Sequence, residues 1–282
     1  MKKVENKFDL NRWVQTPAWI RAFVIAVGIC LVVYLANMLL SEINPGNWWG
    51  LTYGIVASLL MGGAALLGIR RRAMNLAAKT NLGKSQTWVQ FHLYAGTLAL
   101  LLVLMHSGFH IPTGVMNWWL WFLSIWVTVS GLVGVIIQKI VPRVLSSALS
   151  IEVLYDRIPA LVAQIQESAE RLVETCTDPV KDFYRKNVAA ALVSPRSRAI
   201  YYVDITGGIQ SRIRQFEYIR RVLSTEEKEK LDKLESMYKT KLEIDAHYTL
   251  QKALRWWLYA HVPISFVLLV LIVVHIYAVL YY

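Results

Sequence analysis

The chain carries six histidines, at positions 92, 106, 110, 247, 261 and 275. Five of them fall in or at the ends of long apolar runs, where an ionisable group is costly and therefore points to function. Two pairs repeat one spacing: His92 and His106 are fourteen positions apart, and so are His261 and His275. At about 100° per residue, fourteen residues return to within about 40° of the starting direction and advance about 21 Å, so each pair shares one helix face at two depths. If the two helices run parallel, His92 can meet His261 and His106 can meet His275. Two imidazoles facing each other across helices, at two depths, suit two stacked bis-histidine haems. Neutral imidazole also avoids burying charge, because iron takes one ring lone pair while the other ring N–H can bond a backbone carbonyl.

Other uses of membrane histidines stay open on spacing alone. One is helix–helix hydrogen bonding. Another is a zinc site or proton path, which favours histidines clustered with carboxylates at one depth; the apolar runs contain no Asp or Glu. His110 lies one helical turn beyond His106 and is a rival for its place as ligand. Its neighbours Ile111 and Pro112 favour a capping, propionate or quinone contact instead. His247 also precedes His261 by fourteen, but it sits among Glu243, Asp245 and Lys252, so that repeat reads as coincidence. Gly62, Gly63, Gly96, Gly131 and Gly134 offer room for a cofactor or serve ordinary small-residue helix packing. Arg70, Arg71, Arg72, Lys84 and Arg255 are the cations placed to meet propionates of an inner haem.

The composition shows what must position these side chains. Of 282 residues, 56% are hydrophobic and 17% charged, where a soluble domain carries roughly 25% charged residues. Lys and Arg number 30 against 19 Asp and Glu, a net charge of +11. Apolarity with a basic excess is the signature of a polytopic membrane protein with cationic cytoplasmic parts. It excludes disordered, collagen-like and disulfide-scaffold chains, and argues against a nucleic-acid binder. Cys30 and Cys176 form no framework, and no C-x-x-C occurs. That removes covalent c-type haem attachment and thiolate-rich zinc or iron–sulfur sites.

Five runs approach the roughly 20 apolar residues that a span needs: 18–41, 49–69, 88–110, 118–138 and 256–282. The first is too long for a signal-peptide core and reads as a retained helix. The expected architecture is all-α: a cytoplasmic segment 1–17, four spans over 18–138, a cytoplasmic insert 139–255 and a fifth span 256–282. The insert reads as mostly helical. Ser224 to Glu227 is a capping-box pattern before a helix, Pro159 sits near the start of another, and YYVDITGG (201–208) is compatible with one short strand and a turn.

Cations alternate with the spans. Segment 1–21 holds five, 70–87 five and 139–255 twenty, while 42–48 and 111–117 hold none. The positive-inside rule then places the N-terminus and 139–255 in the cytoplasm and the C-terminus outside. Spans three and five, both odd, run parallel as the histidine pairing requires. His92 follows Trp88 by four residues and His261 follows Trp257 by four, which matches their depths.

With His92 and His106 on one span, one span between, and His261 and His275 on the next, the chain resembles the ferric reductase/NADPH oxidase transmembrane domain. The same ligand spacing is similar to that of the diheme cytochrome b of quinol-oxidising complexes. Two spans before the first ligand helix and a cytoplasmic loop before the second favour the ferric-reductase type. The resemblance implies two b haems, held by His92 with His261 and by His106 with His275. It departs from that type in three ways: a sixth span and a FAD/NAD(P)H domain are not in this chain, the 139–255 insert is far longer, and no Pro-Glu-Trp-Tyr motif of a quinol site appears.

The expectation is therefore a membrane subunit that passes electrons through two b haems, in a bacterial inner (plasma) membrane. It would be the cytochrome b part of an oxidoreductase, without a dehydrogenase domain of its own. Its partners would be the lipid bilayer and a redox protein or quinone, with self-association left open and no nucleic acid. Segment 139–255 would dock the redox partner or cap the inner haem. The rival readings are a histidine-based metal or proton transporter, or a membrane signalling scaffold.

Overall fold

A computed structural model describes residues 17–72, 83–148 and 154–281. The expected cytoplasmic segment 1–17 lies outside the described residues apart from Pro17. Among the described residues the chain is helical throughout, with no strand. Five helices are long and apolar enough to cross a bilayer: α1 (Pro17–Leu40), α2 (Trp48–Arg72), α3 (Ser85–His106), the Val115–Pro142 part of α4 (Val115–Ala148), and the last part of a helix that starts at Thr225. The protein is an integral membrane protein by this measure. Its apolar side chains agree: Leu39, Leu59, Phe266 and Val273 are each more than 60% exposed, a pattern that suits lipid rather than water.

The chain divides into two compact units, one of Met1–Ile136 with Leu258–Tyr282 and the other of Ile137–Trp257. Both boundaries fall inside helices, α4 and the long C-terminal one.

In the first unit, α1, α2 and α3 share a core of Tyr34, Tyr53, Ala57, Leu102 and Met105. Helix α2 begins at a side-chain cap, with the Asn47 carboxamide oxygen accepting from Gly50 N–H at 2.8 Å. Only glycine fits at Gly50, because a Cβ there would run into the Asn44 and Pro45 backbone. Helix α3 ends earlier than the apolar run that encodes it. The run continues to His110, but Gly108 and Phe109 both take positive φ (63° and 60°). Gly108 N–H bonds Met105 O and Phe109 N–H reaches back to Leu104 O at 2.8 Å, which satisfies the last carbonyls of the helix.

The second unit is built from α5 (Ile158–Glu174), α6 (Asp178–Phe183), a five-residue π-turn (Tyr184–Val188), α7 (Ala189–Leu192), α8 (Ile205–Ile213), α9 (Gln215–Arg220) and the first part of α10 (Thr225–Tyr281). Helix α10 has 57 residues and runs on without a break into the fifth span. Its stretch Lys241–His247 is buried on every side, so here α10 is the axis of the unit. Around it pack Val173, Val180, Leu192, Tyr201, Ile209 and Phe216.

Two charges lie in that interior. Lys241 Nζ and Asp245 Oδ2 pair at 2.7 Å, both side chains fully buried. Arg196 N–H donates to the other carboxylate oxygen at 2.8 Å. Burial pushes the Lys241 ammonium down and the Asp245 carboxyl up from their ordinary values.

The short strand that YYVDITGG suggested is helical instead. Ala199–Tyr202 forms a 3-10 turn, and Asp204 caps α8 by accepting from Gly207 N–H at 2.8 Å. The two glycines lie in the first turn of α8, drawn into the helix by that cap. The capping box at Ser224 forms by half. Ser224 Oγ meets Glu227 N–H, while the Glu227 carboxylate turns to Thr177, accepting from its hydroxyl at 3.1 Å and from its N–H at 3.3 Å. The reach to Thr177 ties α10 to the start of α6.

Candidate functional site: two histidine pairs

All four histidines of the repeated spacing lie in the first unit, His92 and His106 on α3 and His261 and His275 on α10. The His92 and His261 rings have centroids 6.3 Å apart, with their planes at 72°. The His106 and His275 centroids are 6.4 Å apart, with planes at 83°. Helices α3 and α10 therefore run parallel where they carry these residues. The two pairs are near copies of each other.

Three of the four rings are held through Nδ1. His92 Nδ1 is 2.9 Å from the Ala64 carbonyl oxygen. His106 Nδ1 is 2.8 Å from the Gly50 carbonyl oxygen. A carbonyl only accepts, so each Nδ1 carries a proton, and in a neutral imidazole that tautomer leaves the lone pair on Nε2. His261 Nδ1 lies 2.8 Å from Ser130 Oγ on α4. The Ser130 hydroxyl donates to Val127 O at 3.0 Å, which leaves its oxygen to accept from His261 Nδ1–H. His275 Nδ1 is buried and has no hydrogen-bond partner among the described residues.

The two carbonyls on α2 repeat the histidine spacing, since Gly50 and Ala64 are also fourteen apart. Helix α2 runs antiparallel to α3, its start beside His106 and its later turns beside His92. Glycines keep α2 and α4 close to the rings. A Cβ at Gly54 would lie 3.1 Å from His106 Nδ1, and one at Gly131 would lie 3.4 Å from His261 Cε1.

These distances test what the pairs can hold. A histidine nitrogen sits about 2.0 Å from a first-row metal, and the ring centre lies about 1.1 Å behind it, so imidazoles on opposite sides of one metal have centroids about 6.2 Å apart. The observed 6.3 and 6.4 Å match. Among the described residues no group of three or more His, Cys, Asp or Glu stands ready to hold a metal ion. Two imidazoles alone are a poor cage for a free cation. They suit a metal that brings its other donors with it, as the four nitrogens of a porphyrin do. The residues present therefore fit haem iron at both pairs.

The remaining sequence-predicted residues are placed as follows. His110 lies beyond the end of α3, exposed, its N–H bonded to Ser107 O; it is His106 that faces His275. The Arg70 guanidinium donates to Gly83 O at 2.7 Å and lies 5.9 Å from the Trp88 ring centre. Arg71, Arg72 and Lys84 are exposed at the end of α2 and just before α3. Arg70–Arg72 follow Ala64 by six to eight residues, roughly 9–12 Å along the helix, so this basic end belongs to the His92 side of α2. Arg255 is in the other unit, where it pairs with Asp156 at 2.8 Å and covers the Tyr155 ring at 3.8 Å. Of the glycines read as room for a cofactor, a Cβ added at Gly131 would meet His261 and one at Gly63 would meet Phe91, while one at Gly62 or Gly96 would meet nothing within 4 Å.

Sequence reading does not single out Gly50, Gly54, Ala64 or Ser130 as ring-holding residues. Gly50 and Ala64 act through backbone carbonyls, which residue type does not mark. Comparison with protein-family models, with curated proteins and with solved structures gives no match.

Proposed function

We propose that the chain is a membrane cytochrome b subunit, with one b haem held by His92 and His261 and a second by His106 and His275. The observation that carries this reading is the pair of ring separations, 6.3 and 6.4 Å, each suited to one iron between two imidazoles. Nδ1 bonds to Ala64, Gly50 and Ser130 support it, since they aim the rings and hold the tautomer that leaves Nε2 for the metal. Bound haem would supply a one-electron iron couple at two depths of the bilayer. The chain's own part is to orient four imidazoles and to keep the sites in an apolar surround of helices.

The alternation of cations with spans supports an orientation in which Arg70–Arg72 and residues 139–255 are cytoplasmic and the loop 42–48 is outside. The His92–His261 pair is then the inner one, and Arg70, Arg71, Arg72 and Lys84 lie at the face where its propionates would emerge. A redox protein or quinone supplies and removes the electron, and the second unit is the cytoplasmic surface available for such a partner.

The test is spectroscopic. Protein purified from haem-replete cells is expected to be red, with a b-type reduced-minus-oxidised spectrum and about two haems per chain. A colourless, folded preparation overturns the reading.

A further inference from the structure

The two pairs match in distance but differ in what holds their second ring. On the His92–His261 side both imidazoles are hydrogen bonded at Nδ1, His92 to Ala64 O and His261 to Ser130 Oγ. On the His106–His275 side only His106 is, to Gly50 O, while His275 Nδ1 is buried without a partner among the described residues. A sequence difference in α4 accompanies the asymmetry. Ser130 is its acceptor for His261, and the position fourteen residues earlier, where the same spacing would serve His275, is Met116. A thioether is a weak acceptor.

Resting on the haem reading above, we infer that Ser130 is a positioning residue that sets the two sites apart electronically, making the His92–His261 haem the lower-potential one. An acceptor at Nδ1–H draws the proton outward and makes Nε2 a stronger donor. A stronger donor stabilises ferric over ferrous iron, and hydrogen bonding of this kind is one of the levers by which a protein tunes haem potential. The Ser130 hydroxyl can donate to Val127 O at 3.0 Å, which suits its oxygen to accept from His261 Nδ1–H. Gly131, the next residue, lies against the same ring, with a Cβ there falling 3.4 Å from His261 Cε1.

Redox titration of the purified protein, followed at the haem absorbance, tests this. Wild type is expected to titrate as two one-electron components. S130A keeps both haems and moves only the lower component upward; S130T, which restores a hydroxyl, returns it to the wild-type position. H275A, which leaves only the His92–His261 site, shows the lower component alone. The inference is overturned if S130A leaves both components in place, moves the upper one or moves both equally, or if H275A retains the upper component. Should S130A lose a haem, the S130T titration decides, and a shifted lower component there overturns the inference. A wild-type preparation without haem instead overturns the proposed function itself, so the two failures are distinguishable.

Discussion

His106 Nδ1 lies 2.8 Å from the carbonyl oxygen of Gly50, the residue at which α2 accepts its cap from Asn47. One glycine thus receives a side-chain cap on its N–H and holds a ring on its C=O. The same relationship recurs fourteen residues on, between Ala64 and His92. Helix α2 is therefore a template for α3, and the predictions below follow from how the rings are held and how the second unit is packed.

On the proposed haem reading, replacing either member of one pair should remove one haem and leave the other. His92→Ala or His261→Ala is expected to halve the reduced-minus-oxidised absorbance while helix content by circular dichroism stays unchanged. Loss of the whole haem signal in a folded protein would show that the two sites are not independent.

Gly54 and Gly131 differ in tolerance. A Cβ at Gly54 would press on the His106 imidazole at 3.1–3.2 Å, whereas one at Gly131 would meet His261 at 3.4 Å, an ordinary contact. Gly54→Val is expected to lose the His106–His275 haem, and Gly131→Ala to keep both. The haem-to-protein ratio after purification checks this; equal retention in the two variants contradicts it.

The buried Lys241–Asp245 pair should act as a unit. Removing one partner strands a charge in the core, which costs about 3–5 kcal/mol, while replacing both with apolar residues of similar volume is roughly neutral. Asp245→Ala is therefore expected to lower the thermal midpoint sharply, and the double variant Lys241→Met with Asp245→Leu to recover most of the loss. A double variant as unstable as the single one would count against this account.

Tyr201 makes the second unit sensitive to alkali. Its side chain is 1% exposed, and burial pushes its hydroxyl up from 10 to about 12. Because the folded value is the higher one, this stability is fully present below pH 10 and is lost as pH rises through about 12. A rise of that size corresponds to roughly 3 kcal/mol. Tyr201→Phe is expected to flatten the loss of helix signal between pH 10 and about 12, and an unchanged alkaline profile would refute the assignment.

The pairing of His92 with His261 and of His106 with His275 was legible in the sequence, because fourteen residues make nearly four full turns and repeat a direction on any straight helix. The five spans were legible from apolar length, free of charge apart from Arg21 near the start of the first. What fixes the rings was not. The acceptors from Gly50 and Ala64 are backbone carbonyls, which every residue has, and Ser130 looks like any other serine in a span. Hydropathy misplaces the end of α3, because apolarity continues to His110 while the backbone turns at Gly108 and Phe109, a stop written in φ. The unbroken run of α10 is equally hidden. The change from polar to apolar near Trp256 reads as a boundary between elements, although helical periodicity passes through it.

The order of the histidine-bearing helices along the chain has a consequence for biogenesis. Spans α1 to α4 are synthesised with His92 and His106 but with no facing imidazole. The imidazoles that complete both pairs, His261 and His275, emerge only after the whole of Ile137–Trp257 has been translated. On the proposed reading, neither site can close on a nascent chain. Haem retention then reports that the second unit has been made and that the fifth span has entered the bilayer beside α3.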